Sequence, residues 1–190
     1  MMKKFIVLLL LACIACNITY CQITKGNWLL GGNTSFASTN YKSDAGSKSI
    51  GFDLKLTPNI GYFIIDKLAA GAKVGIGKNG FKAQGTSVSS TYTDFNIGPF
   101  VRYYLLSSEK LINILTEVTY QYGFAGGNGV SKKPTKSTFA FATGPAIYFN
   151  NSVGLEFLIG YSTYKYATFL GSNNTIQFSI GFQFHLEKDK

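Results

Sequence analysis

Thr175-Ile176-Gln177-Phe178-Ser179-Ile180-Gly181-Phe182-Gln183-Phe184-His185-Leu186 alternates large apolar residues with small or polar ones without a break. Ile176, Phe178, Ile180, Phe182, Phe184 and Leu186 fall on one side; Thr175, Gln177, Ser179, Gly181, Gln183 and His185 fall on the other. Successive side chains of an extended chain point to opposite faces, so a period of two reads as a β-strand with an oily face and a wet face. The same alternation recurs from Ile50 onward, in segments as long as the roughly 9–11 residues that a tilted strand needs to cross hydrocarbon. The pattern predicts lipid outside and a polar lumen inside.

Eight such segments can be laid out, the stretch above being the last. The first, 27–37, turns Trp28, Leu30 and Phe36 outward, with Leu29 against the pattern. The second, 50–64, sets Ile50, Phe52, Leu54, Leu56, Ile60, Tyr62 and Ile64 against Gly51, Asp53, Lys55, Thr57, Asn59 and Gly61. The third, 68–77, turns out Leu68, Ala70, Ala72, Val74 and Ile76; the fourth, 92–105, turns out Phe95, Ile97, Val101, Tyr103 and Leu105. Segments 111–124, 138–149 and 152–164 follow the same rule through Ile112 to Phe124, Phe139 to Phe149 and Val153 to Tyr161.

Glycine tests these registers independently, because they rest on the large apolar residues alone. Gly31, Gly51, Gly61, Gly71, Gly75, Gly77, Gly98, Gly123, Gly144, Gly154, Gly160 and Gly181 fall on the non-apolar side, and Gly32 on the other. A narrow closed barrel accounts for that sorting, since its interior has room for few large side chains.

Connections alternate short and long, as a barrel with one quiet and one displayed end requires. Residues 66–67, 107–110 and 150–151 make tight turns; 38–49, 78–91, 125–137 and 165–174 are long and rich in Gly, Ser, Thr, Asn and Lys. Pro58, Pro99 and Pro145 each fall in the outward register, where proline removes a ladder hydrogen bond. A bulge, or a position near the short-turn interface, is expected at each. Aromatic residues gather at strand ends, where interfacial belts belong. Tyr62, Tyr103, Tyr104 and Tyr148 lie near the short turns, and Tyr92, Tyr120, Tyr122, Tyr161, Tyr164 and Tyr166 near the long loops.

The N-terminus reads as an export signal over 1–21, leaving a barrel domain over 22–190. Lys3 and Lys4 supply the positive start, 5–12 the apolar stretch, and Thr19, Tyr20 and Cys21 a cleavage triplet before Gln22. The apolar run is short of the roughly 20 residues of a spanning helix. Leu10, Leu11, Ala12 and Cys13 give an alternative, lipidation at Cys13, although Leu11 fits a lipobox poorly. All three cysteines lie within this segment, so the exported chain holds no disulfide and no thiolate metal site. Charged residues make up 14% of the chain, against about 25% in soluble domains.

Three descending strands carry Pro58-Asn59-Ile60-Gly61-Tyr62-Phe63, Gly98-Pro99-Phe100-Val101-Arg102-Tyr103 and Gly144-Pro145-Ala146-Ile147-Tyr148-Phe149. With the aromatic last strand, these resemble the small outer-membrane β-barrel family of Gram-negative bacteria, the OmpA-transmembrane, OmpX and OmpW type often labelled porin-family. The match covers essentially 22–190. It implies an all-β, eight-stranded antiparallel up-and-down transmembrane barrel in the bacterial outer membrane, with periplasmic termini. The implied partners are membrane lipid, lipopolysaccharide and, during insertion, the barrel-assembly machinery, which reads an aromatic C-terminal strand. Here Glu187 to Lys190 follow Leu186, a departure from the usual aromatic end.

Two sets of charges are candidate sites. Asp53, Lys55, Lys73, Asp94, Arg102, Glu117 and Glu156 fall on the inward side. An eight-stranded interior is just filled by side chains, so these are expected to pair as a salt-bridge plug; the alternative is a narrow conduit. Lys42, Lys48, Lys78, Lys82, Lys132, Lys133, Lys136 and Lys165 fall in the long loops, facing Asp44 alone, and suit lipopolysaccharide phosphates or acidic glycans.

Enzymatic motifs fail. Gly75-Ile76-Gly77-Lys78-Asn79-Gly80 fits a GxGxxG string but ends a strand without opening a helix, so no helix dipole cradles a phosphate. His185 is the only histidine and lies at the short-turn end, which excludes a His-centred triad at the outer rim. The expectation is a non-enzymatic barrel without cofactor or metal, structural, adhesive or envelope-stabilising. The alternatives are a porin-like or OmpW-like channel and a subunit of an envelope secretion or assembly complex. Nucleic acid is not an expected partner in this compartment.

Overall fold

The computed structural model describes residues 23–42, 48–83, 89–127, 134–167 and 172–187. The expected signal segment, Lys132 and Lys133 lie outside these residues. Eight strands follow in chain order: β1 (Trp28–Lys42), β2 (Lys48–Ile65), β3 (Leu68–Ala83), β4 (Ser89–Tyr104), β5 (Ile112–Gly127), β6 (Thr135–Tyr148), β7 (Val153–Tyr166) and β8 (Asn173–Leu186). Each pairs antiparallel with the next, and β1 closes on β8 from Trp28↔Leu186 to Phe36↔Phe178. Closure leaves no free sheet edge from Trp28 to Phe36, beyond which β1 pairs with β2 alone and β8 with β7 alone.

The strands run 14 to 18 residues, beyond what hydrocarbon requires. The expected long loops are correspondingly shorter. Lys42, Lys48, Lys78, Lys82, Lys136 and Lys165 belong to strands rather than to loops. The physical reason is that Ser, Thr, Asn and Lys carry the same backbone donor and acceptor as apolar residues, so each hairpin ladder continues past the point where the oily alternation stops.

The short turns are built by their own side chains. Lys67 takes a left-handed φ of 66° to close β2 onto β3. Asn113 clamps the β4–β5 turn, its Oδ1 accepting from Leu106 N at 2.9 Å and its Nδ2 donating to Leu106 O at 3.2 Å. Asn150 Oδ1 accepts from the backbone of Ser152 and Val153 at 2.9 and 2.8 Å, the Asx turn its residue type favours.

Of the two arrangements expected at the prolines, a bulge or a position near the short turns, the bulge is not there; Pro145 lies close to the short-turn end of β6, and Pro99 and Pro58 lie farther from it along β4 and β2. Registers on both sides of Pro58, Pro99 and Pro145 are unshifted, and the one register shift between paired strands among the described residues lies at Phe63/Ile65. Instead, each proline keeps one ladder continuous and drops out of the other. Thr57 and Pro58 leave the β3 ladder, Gly98 and Pro99 the β5 ladder, and Gly144 and Pro145 the β7 ladder. A missing N–H removes a bond on one side only, and neighbouring pairs hold the register.

Alternation sets the two surfaces. Trp28, Phe52, Ile60, Ile97, Val101, Phe141, Ile159 and every apolar residue of the outward β8 set are exposed, Phe178 by 66%. Water would bear that belt at roughly 25 cal/mol per Å². Inward residues are mostly buried, and glycine makes their packing feasible. A Cβ on Gly77 would collide with the Asp94 carboxylate, one on Gly75 with the Asn96 amide, and one on Gly181 with the Asn33 amide. Gly77→Val is expected to cost about 1–3 kcal/mol in denaturant titration, whereas Gly80→Val, with nothing within 4 Å of its Cβ, leaves the midpoint nearly unchanged.

Candidate functional site

The lumen is stratified. At the short-turn end lies an apolar and aromatic layer of Leu29, Phe63, Tyr104, Leu115 and Tyr148, all at most 5% exposed, while Phe100 and Leu158 lie one step farther in, beyond Arg102 and Glu156 on their strands. His185 stands among three of its rings, with centroids 5.6 Å from Phe63, 6.0 Å from Tyr104 and 5.4 Å from Tyr148. Residues 23–27 fold across this mouth. Ile23 is fully buried, Lys67 N donates to its carbonyl at 2.9 Å, and Gly26 N donates to Phe63 O at 3.0 Å.

Next comes a charge network centred on Arg102, which is fully buried. Its Nε and Nη2 donate to Glu117 Oε2 at 3.0 and 2.8 Å, and its Nη1 to Glu156 Oε1 at 2.7 Å and to Tyr104 OH at 3.2 Å. Arg102 and Glu117 are register partners across β4 and β5, which explains the near-ideal reach. Lys73 pairs with the other Glu117 oxygen. Glu156 Oε2 accepts from Asn33 and Gln183, both at 3.3 Å. Every ion here has a partner of opposite charge, and Arg102, Glu117 and Glu156 each bond a neutral group as well, the condition under which buried charge is tolerated.

Farther from the short turns, Lys55 Nζ donates to Gln121 Oε1 at 2.9 Å. Asp94 accepts from Asn96 at 2.7 Å and lies 3.9 Å from Lys136 Nζ. Asn79 stands between two carboxylates: its amide nitrogen reaches Asp94 at 3.4 Å, or Asp53 at 2.9 Å in the other amide orientation. The seven inward charges thus divide. Lys73, Arg102, Glu117 and Glu156 form one network, while Asp53, Lys55 and Asp94 occupy a separate upper layer bridged by amides.

Lys136 is a correction to the set of displayed lysines. It is 9% exposed, faces Asp94, and lies over the rings of Tyr164 and Tyr166 at 4.5 and 6.0 Å. Its position in the ladder beside Gly123 and Tyr166 turns it inward. The lumen charge count becomes four cations against four anions. Lys78 and Lys165 are exposed on the outward register. Among the tyrosines, Tyr92, Tyr103, Tyr120, Tyr122 and Tyr161 are exposed on the outer wall, and Tyr62 meets Trp28 edge-on at 5.3 Å. Tyr104, Tyr148, Tyr164 and Tyr166 instead share the inward register, a correction to their interfacial placement. Strand parity, not proximity to a strand end, decides which medium a tyrosine meets.

This geometry has solved counterparts. The chain matches the crystal structure of Neisserial surface protein A (NspA) with a TM-score of 0.53 at 14% identity, over 86% of this chain and 98% of that one. It matches the outer membrane protein OprG from Pseudomonas aeruginosa with a TM-score of 0.56 at 12% identity, over 88% and 100%. The fold is shared with solved outer-membrane barrels. No family model matches the chain, and no curated protein matches it by sequence. At these identities the likeness is one of fold.

Proposed function

We propose that the chain is a non-enzymatic integral outer-membrane barrel with a closed lumen and a structural, adhesive or envelope-stabilising role. The observation that carries this reading is the stack beneath the upper lumen, where an aromatic layer and the Arg102 network fill the cross-section in succession. The cavity above them is about 70 Å³, room for a few ordered waters. The exposed apolar belt supports insertion, because hydrocarbon is the medium that such a wall fits. Residues 23–27 and Glu187 lie at the short-turn end, which suits periplasmic termini and an outward-facing long-loop end. Lys78 and Lys165, at that end of the outer wall, suit lipopolysaccharide phosphates.

Planar-bilayer recording tests the closed lumen. The expected record has no steady single-channel steps at any salt concentration. Steady steps that scale with salt would instead favour a transport protein. For the rim, Lys78→Glu with Lys165→Glu is expected to weaken lipopolysaccharide binding at low salt and to have little effect at high salt, where screening removes the contact.

A further inference from the structure

At the long-loop end, every ladder except β1–β8 reaches the terminal residue of at least one of its strands, from Lys42↔Lys48 around to Tyr164↔Asn173. The β1–β8 ladder stops at Phe36↔Phe178, leaving 37–42 of β1 held by β2 alone and 173–177 of β8 held by β7 alone. Among the described residues, the N–H and C=O groups that these stretches turn toward the seam have no backbone partner. Folded sheets normally blunt such an edge with proline, charge or a bulge. Here 37–41 and 173–177 contain neither proline nor a charged residue, and both keep regular register with their single neighbour. Each edge is therefore an open template for another extended strand.

We propose that a second copy of the chain occupies this notch, each copy's β1 edge pairing with the β8 edge of the other. Direction selects that occupant. Copies inserted in one membrane share an orientation, so a neighbour's β1 runs parallel to this β1 while its β8 runs antiparallel, the sense in which the two strands already pair. A two-fold axis along the membrane normal brings β1 to the second copy's β8, and β8 to its β1, in one step; this is the self-complementary contact of a symmetric dimer. Carrying the register past Phe36↔Phe178 sets Ala37 of one copy opposite Gln177 of the other, Thr39 opposite Thr175 and Tyr41 opposite Asn173. The inference rests on membrane insertion but not on the closed lumen. The contact lies at the long-loop rim, beyond the Arg102 network, and can fail while that closure stands.

Disulfide trapping in lipid vesicles tests this, because residues 22–190 contain no cysteine. Chains carrying Thr39→Cys, mixed before insertion with chains carrying Thr175→Cys and oxidised with copper phenanthroline, should give a disulfide-linked dimer as the main product. Thr93→Cys, exposed on β4 across the barrel from the seam, should give only the background of random encounters. With both cysteines in one chain, the links should still form between copies. A disulfide formed within the chain would show that the seam closes on itself, and overturns the proposal. A dimer yield no higher than that of Thr93→Cys also overturns it, leaving the edges to water or to a foreign strand. If a variant does not fold, energy transfer between donor-labelled and acceptor-labelled wild-type chains, dilute in lipid, decides: transfer above random encounter is expected, and its absence contradicts the dimer.

Discussion

Arg102→Met is expected to lower the unfolding free energy in detergent by about 3–5 kcal/mol, the cost of leaving buried carboxylates without their counter-ion. Glu117 would keep Lys73, but Glu156, 1% exposed, would keep only the amides of Asn33 and Gln183. The double variant Arg102→Met, Glu156→Gln should recover most of the loss, since it removes the stranded carboxylate and leaves the Lys73–Glu117 pair intact. Urea titrations followed by tryptophan fluorescence of Trp28 would measure both. An unchanged midpoint for the single variant would mean that the network carries no net interaction.

Ile180→Arg is the second large effect. Ile180 lies midway along β8, paired with Thr34 and Phe157, and is 53% exposed on the outer wall. Arginine on the lipid face near the bilayer midplane costs about 2–4 kcal/mol, falling to about 0–1 near the interfaces. The same substitution at Ile176, nearer the long-loop end of the strand, should therefore be much milder. Folding yields into lipid vesicles across a denaturant series would compare the two. In a water-soluble barrel both substitutions would be nearly neutral, because an exposed arginine in water costs little.

Strand existence, order and facing were legible because the outer wall obeys one rule, as 175–186 shows. The inner charges were legible for the same reason: Asp53, Lys55, Asp94, Arg102, Glu117 and Glu156 sit at the parity opposite the large apolar residues. The aromatic layer was harder to see. Leu29-Leu30, Tyr62-Phe63-Ile64, Tyr103-Tyr104, Ile114-Leu115 and Tyr148-Phe149 are runs of large residues at both parities, and all lie near short turns. Such runs look like broken alternation, yet they mark where the lumen itself becomes apolar. Leu29, set against the pattern in sequence, is a fully buried part of that layer.

Lys136 was misplaced for a different reason. Composition places Lys beside Ser and Thr in a loop, and only the pairing of β6 with β5 and β7 reveals that the ladder continues through it. The segment 23–27 carries no alternation, so nothing local announces that Ile23 caps the mouth. The bulges expected at the prolines assumed that a lost bond must shift register. Ladders intact on the opposite side of each proline hold it instead.

Which flank of the ribbon touches hydrocarbon can be read directly by spin labelling. Cysteine occurs only at Cys13, Cys16 and Cys21, so residues 22–190 refolded into lipid vesicles accept one engineered thiol at a time. Nitroxides at 176, 178, 180 and 182 should collide freely with dissolved oxygen from the lipid, and those at 177 and 179 should be shielded. A reversed alternation, or none, would contradict the assignment of inside and outside on which the fold, the lumen and the proposed role all depend.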